Sequence, residues 1–219
     1  MVQYNGIVGL GGKCVLAHQI RRHFNVSAAH VFDWWVTPTP ALIDLLENNF
    51  SGLFEPENMT PCEGGKSTVC SFTGILHPHD FEQSPESSLV FREKVSEKCR
   101  VNKEKYAALA NRFRQLKGRI LFIRYGDGTH NATSHFSPYS ASTINRLVKA
   151  LELRAPDANF DLLLVLGDES KKPIEASGFD KEIDPRVRFD FDMVDNDGAM
   201  DWKGNDESWS SMFRRHAEF

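Results

Sequence analysis

Cys14 follows the run Gly9-Leu10-Gly11-Gly12-Lys13 and opens a stretch in which Val15, Leu16, Ile20 and Phe24 recur at close to helical spacing. A thiol in the first turn of a helix feels the positive end of the helix dipole and nearby unpaired amide hydrogens. Both favour the thiolate, and Lys13 adds a positive charge. The same amides could hold an oxyanion. Such a setting serves acyl transfer, in which a thiolate attacks a carbonyl, an imidazole shuttles the proton and a third polar group orients the ring. The competing reading is a small buried apolar residue, since free cysteine is among the most buried residue types. Cys99 falls on a helix, Cys70 within a strand and Cys62 in a Pro/Gly-rich excursion, so none of them shares the helix-start setting.

Other motifs compete for the same turn. Gly9-x-Gly11-x-x-Cys14, between strand and helix, resembles a dinucleotide-binding loop that has lost its third glycine, with Asp33 about where a ribose-binding acid would fall. A nucleotide or nucleotide-sugar transferase using the Gly9–Gly12 turn and Asp33 is therefore the alternative function. A phosphate-binding Walker loop fails twice. Ile7 stands where the glycine before Gly12-Lys13 should be, and Thr60 stands there before Gly65-Lys66-Ser67. A calcium loop through Asp195-Asn196-Asp197-Gly198 fails because Met193 and Gly204 occupy its first and twelfth ligand positions. His77 and His79 share one face of a strand, but two ligands do not hold a metal, so neither a metal site nor a cofactor is expected.

The elements that must position these residues alternate. Ile7–Leu10 reads as a strand and Lys13 to Phe24 as a helix, with Val31–Val36 as a second extended segment. Thr37-Pro38-Thr39-Pro40 then starts a helix over 41–49. Residues 51–66 form a turn-rich excursion of the kind that borders sites. Val69–Leu76 reads as a strand ending at His77-Pro78-His79-Asp80-Phe81. Tyr106, Leu109, Phe113 and Leu116 mark a helix that Gly118 would cap. Ile120–Ile123 is a buried strand, 142–153 a helix and Phe160–Leu166 another buried strand. Such alternation implies an α/β fold: a single three-layer domain over residues 1–219, with a mostly parallel sheet and helices on both faces. From about residue 180 the chain turns acidic. Ten acidic side chains stand against four basic ones over 180–207, read as a last strand over 187–193 and a closing helix flanked by Trp202 and Trp209.

Composition narrows the class. The chain has 219 residues, 41% hydrophobic and 26% charged, which is ample for one core and unlike a disordered or fibrous chain. A formal net charge of -4 provides no global basic field, so general nucleic-acid binding is disfavoured. No apolar run approaches the roughly 20 residues of a membrane span, and the N-terminus lacks the features of a secretory signal. A cytoplasmic protein with four free thiols follows as the expectation. Asn25, Asn49, Asn58 and Asn131 each open an N-x-[ST] sequon, which would be silent there.

The run Gly9 to Arg22, followed by Phe32-Asp33-Trp34, Leu45 to Phe50 and His79-Asp80-Phe81, resembles the family described as putative papain-like cysteine peptidases. Looser likeness continues through Lys105-Tyr106, Arg112-Phe113, Leu121 to Arg124 and Asp201-Trp202. The resemblance implies a thiol-dependent hydrolase or acyl transferase acting on a small-molecule or peptide substrate. It maps the nucleophile to Cys14 and the base to His79, with an acidic or amide partner; Asp80, or a strand-end acid such as Asp127 or Asp168, is then the candidate to orient the ring. Gly11, Gly12, Lys13, Asp33 and Trp34 would then border the substrate. Two features depart from a papain site. Val15 follows the cysteine where papain-type enzymes carry tryptophan, and Gln3 lies eleven residues back. Asp80 is also adjacent to His79, and strand neighbours face opposite ways, so the two can meet only if the strand has ended. The βα alternation suits a doubly wound sheet better than a papain architecture.

Overall fold

The structure is a computed structural model that describes residues 3–62, 67–81, 88–126, 140–166, 182–191 and 202–217, with backbone alone for 88–93. Its centre is a parallel sheet of β1 (Gly6–Gly9), β5 (Gly118–Tyr125), β6 (Ala158–Val165) and β7 (Val187–Asp190), hydrogen-bonded in that order. The helices are α1 (Cys14–Phe24), α2 (Thr39–Glu47), α3 (Ser88–Arg114), α4 (Ala141–Arg154) and α5 (Asp206–His216). A small antiparallel sheet of β2 (Met59–Pro61), β3 (Thr68–Cys70) and β4 (Leu76–His77) lies between α2 and α3 in the chain.

The central strands read as nearly continuous apolar runs because both their faces are buried. Alternate side chains go to different clusters. Ile120 and Phe122 of β5, with Phe160, Leu162 and Leu164 of β6, join Leu42 and Leu46 of α2 and Ile144, Leu147 and Leu151 of α4. Leu121, Ile123, Leu163 and Val165 point the other way and meet Val15, Leu16 and Ile20 of α1 and Trp209, Met212 and Phe213 of α5. The expected α/β class with a parallel sheet is what the chain forms.

Three local expectations are corrected. Val31–Val36 is not a strand: residues 31–34 form a turn and only Val36 pairs, as a single bridge to Leu76. Asp33 explains this, because its carboxylate accepts the His30 N–H (2.9 Å) and so offers the backbone a turn in place of a ladder. Residues 69–76 split into β3 and β4, joined through a turn in which Gly74 adopts φ +73°. Gly118 does not cap α3, which ends at Arg114; it opens β5 with φ +78° and packs against the Asn5 side chain. The four cysteines are free thiols, as expected.

One contact fixes where α1 begins. Gly12 has φ +98°, and a β-carbon there would lie 1.8 Å from the carbonyl oxygen of Tyr125 at the end of β5. No side chain fits, so glycine is obligatory for both conformation and space. Gly126 is a control, with φ +60° but no atom within 4 Å of its built β-carbon. Gly12→Ala should therefore destabilise the fold by about 3 kcal/mol or more, strain and overpacking combined, whereas Gly126→Ala should cost only about 1 kcal/mol. Urea denaturation of the two variants beside the parent checks the difference, and equal losses would contradict the wedge.

Candidate active site

Leu10 leaves β1 by donating its N–H to the Ile123 carbonyl (2.8 Å), after which Gly11 (φ +71°) and Gly12 turn the chain into α1. Lys13 occupies the N-cap position with no side-chain cap, its ammonium 5.7 Å from the centre of the Tyr125 ring. Cys14 is the first residue of the helix and is partly exposed. Burial pushes its thiol up, while the N–H groups of Cys14 and Val15 and the charge of Lys13 pull it down without prevailing. The expected thiolate is therefore not the resting state. The dipole and amides are present, but desolvation outweighs them.

Arg124 braces this corner from inside the sheet. It is fully buried, donates to the Leu10 carbonyl (2.8 Å) and the Thr39 hydroxyl (3.2 Å), and also donates to the Thr37 carbonyl. One guanidinium thus ties the end of β1 to the start of α2. The sequence reading ends the buried strand at Ile123 and gives Arg124 no role beyond the looser family likeness. The signal that could have found it is a charge directly following Ile120–Ile123.

Asp33 is buried beside Arg21 of α1, with Nη2–Oδ2 at 2.6 Å. Burial raises its carboxyl, opposed by the His30 N–H and Arg21. It sits in a turn, and among the described residues β1 pairs only with β5, so Asp33 does not take the strand-end place that a dinucleotide-binding loop gives its ribose acid. The adjacent Trp34 carries the Arg21 guanidinium over its ring at 5.0 Å and meets the His79 imidazole edge-on at 5.6 Å. Trp202 approaches from the chain's C-terminal part, 6.5 Å from His79 and 5.2 Å from His18. His18 lies one helical turn after Cys14, on the same face of α1. The structure thus gathers Trp34, His79 and Trp202 against His18 of α1, one turn along the helix from Cys14, with Gly11, Gly12 and Lys13 forming the turn before the helix. His18 and Trp202 were not expected here; the i, i+4 relation of Cys14 and His18 was the readable sign.

Asp80 does something other than orient His79. Its side chain is 1% exposed and accepts from Trp35 Nε1 (2.7 Å), His77 Nδ1 (3.2 Å), Lys105 Nζ (3.0 Å) and Tyr106 Oη (2.8 Å). Its own carbonyl accepts from Asn102 Nδ2 at 3.0 Å. Buried His77 is thus the imidazole it holds, and exposed His79 stands between two anchored neighbours. Asp127 and Asp168 lie outside the described residues. No group of three or more His, Cys, Asp or Glu among the described residues is arranged to hold a metal ion.

A family model described as "Putative papain-like cysteine peptidase" matches residues 5–170, and the chain belongs to that family. The match spans the Gly9–Cys14 turn, Phe32-Asp33-Trp34 and His79-Asp80. Neither a search of curated proteins nor one of solved structures finds a match.

Two predictions follow from these environments. Burial favours the neutral form of Asp80, but the His77 hydrogen bond, the Lys105 charge and the Trp35 hydrogen bond outweigh it and hold the carboxyl at about 2, below the ordinary 3.8. A depressed folded-state value gives stability that is complete above about pH 4 and lost as the pH falls toward 2, about 2 kcal/mol in all. Asp80→Asn should lose roughly 2–4 kcal/mol at neutral pH and show a flatter stability profile between pH 5 and 2, measured by urea unfolding. For Cys14, alkylation by iodoacetamide should have its midpoint above the ordinary thiol value of about 8.5; a midpoint below 7 would mean a preformed thiolate–imidazolium pair.

Proposed function

We propose that the protein is a thiol-dependent hydrolase or acyl transferase of a small-molecule or peptide substrate, with Cys14 as nucleophile and His79 as general base. The observation that carries this reading is the placement of the Cys14 thiol at the first position of α1, facing the Cys14 and Val15 N–H groups. His79 supports it. The ring is exposed, sits against Trp34 and Trp202, and through Trp202 adjoins His18 one turn along α1. Asp80 acts as a positioning residue, holding the 77–81 segment through its buried bonds. Core clusters on the two faces of the sheet support a three-layer arrangement, and free cysteines suit a reducing compartment such as the cytoplasm.

The reaction balances with these groups alone. The Sγ–H proton passes to the imidazole as sulfur bonds to the substrate carbonyl carbon. The oxyanion accepts from first-turn amides of α1. Collapse expels an amine or alcohol, which leaves with the proton held by His79, and a thioester remains on Cys14. Water, or an acceptor nucleophile, then gives its proton to the same ring and attacks the thioester, returning the thiol. Because the resting thiol is neutral, the imidazole must be unprotonated at the start, so acid that protonates the ring should slow the reaction.

p-Nitrophenyl acetate serves as a substrate-independent probe. The expected result is an acetyl group on Cys14 by mass spectrometry, absent in Cys14→Ala, with p-nitrophenol release slowed about 100-fold in His79→Ala. Release from Cys14→Ala as fast as from the parent would overturn the nucleophile, and an unchanged rate in His79→Ala would overturn the base.

A further inference from the structure

Trp202 is left half in water, at 49% exposure, although it lies on a fixed part of the chain. Buried Gln19 of α1 donates to the Lys203 carbonyl at 2.6 Å and to Asp206 Oδ1 at 2.9 Å, and Arg22 donates to the Asp206 carbonyl at 2.7 Å. Asn205 caps α5 immediately afterwards. The helix that presents Cys14 therefore also pins the backbone that presents Trp202, so the exposure of the indole does not come from a fraying end. Packing does not account for it, since a tryptophan gains most when its apolar surface leaves water.

The surrounding rings show what the indole is arranged for. Trp202 meets His18 at 66°, Trp34 at 62° and His79 at 57°, and Trp34 meets His79 at 83°. These rings meet edge to face or tilted, with none stacked flat upon another, which leaves faces available to a further planar group. A cation is a poor fit, because Arg21 already holds the position over Trp34 at 5.0 Å. Trp202 also lies beyond residues 5–170, so this wall comes from outside the stretch that the family match covers.

We propose that Trp202, with Trp34 and His79, forms a specificity subsite beside Cys14 for an uncharged aromatic group next to the reacting carbonyl of the substrate. This deepens the cysteine-hydrolase reading and rests on it for what is done to the substrate. Recognition itself needs only the rings, with Trp202 resting against His18, the residue one turn along α1 from Cys14.

The test compares alkylation of Cys14 by N-benzyl iodoacetamide and by iodoacetamide at pH 9, where thiolate forms without help from a base. The ratio of the two rates is read against the same ratio at Cys62 and in glutathione. It should be about fivefold higher at Cys14, return to the glutathione value in Trp202→Ala and be largely kept in Trp202→Phe, with melting temperatures confirming that both variants fold. A ratio at Cys14 equal to that of glutathione, or one that Trp202→Ala does not change, would overturn the subsite. Both reagents carry iodide as leaving group and need no imidazole, so the ratio is independent of ester turnover. An intact ratio with no acetyl transfer from p-nitrophenyl acetate would sink the hydrolase reading alone, and acetyl transfer without the ratio would sink the subsite alone.

Discussion

The contact of Gly12 with the Tyr125 carbonyl is the constraint on which the rest depends. The chain leaving β1 has to clear the end of β5, its sheet neighbour, and it does so through a residue that has no side chain to clear. Gly11 is crowded on its other side, where a β-carbon would lie 3.2 Å from both the Phe32 carbonyl and the Thr37 hydroxyl. The turn is thereby held between the sheet and the segment leading into α2, while Arg124 bonds to both from beneath. A cysteine at the start of a helix is commonplace. A cysteine whose helix start is fixed by contacts on both sides of the turn is a pre-positioned group, and that is what supports the proposed nucleophile.

The exposed His79, proposed as the base, is placed by a different logic. His79 sits where a short strand has just ended, and such a segment would have little order of its own. Asp80 gives it order by gathering Trp35, His77, Lys105 and Tyr106 around one buried carboxylate. A buried charge is costly unless its bonds are satisfied, and here several donors converge. Because the network spans β4, the turn before α2 and α3, its energy fixes the relation of these elements and, with it, where the exposed histidine is displayed.

Much of the architecture was legible in the sequence. Ile120–Ile123 and Leu162–Val165 are unbroken apolar runs because both faces of the sheet are covered, and the spacing of Val15, Leu16 and Ile20 marks α1. The failures have a shared cause in polar side chains that work locally. Val31–Val36 has strand composition, yet Asp33 in its middle captures a backbone amide and Arg21, and the extended form is lost. Asp80 was readable as an acid beside a histidine. Which histidine it serves depends on a strand ending that local pattern does not encode. His18 and Trp202 lie 184 residues apart and meet through Gln19 and Arg22, side chains that look like ordinary polar positions on a helix. The charge state of Cys14 was legible only in part, since the amides follow from position but the desolvation follows from tertiary packing.

The central claim is that Cys14 and His79 work as a pair, and NMR titration of 13C-labelled histidine tests it most directly. Ionisation of a neighbouring thiol changes the field at the ring, so the His79 ring signal should shift at alkaline pH as Cys14 ionises, and Cys14→Ala should abolish that shift. Superimposable His79 curves in the parent and in Cys14→Ala, from acid through alkaline pH, would contradict the account.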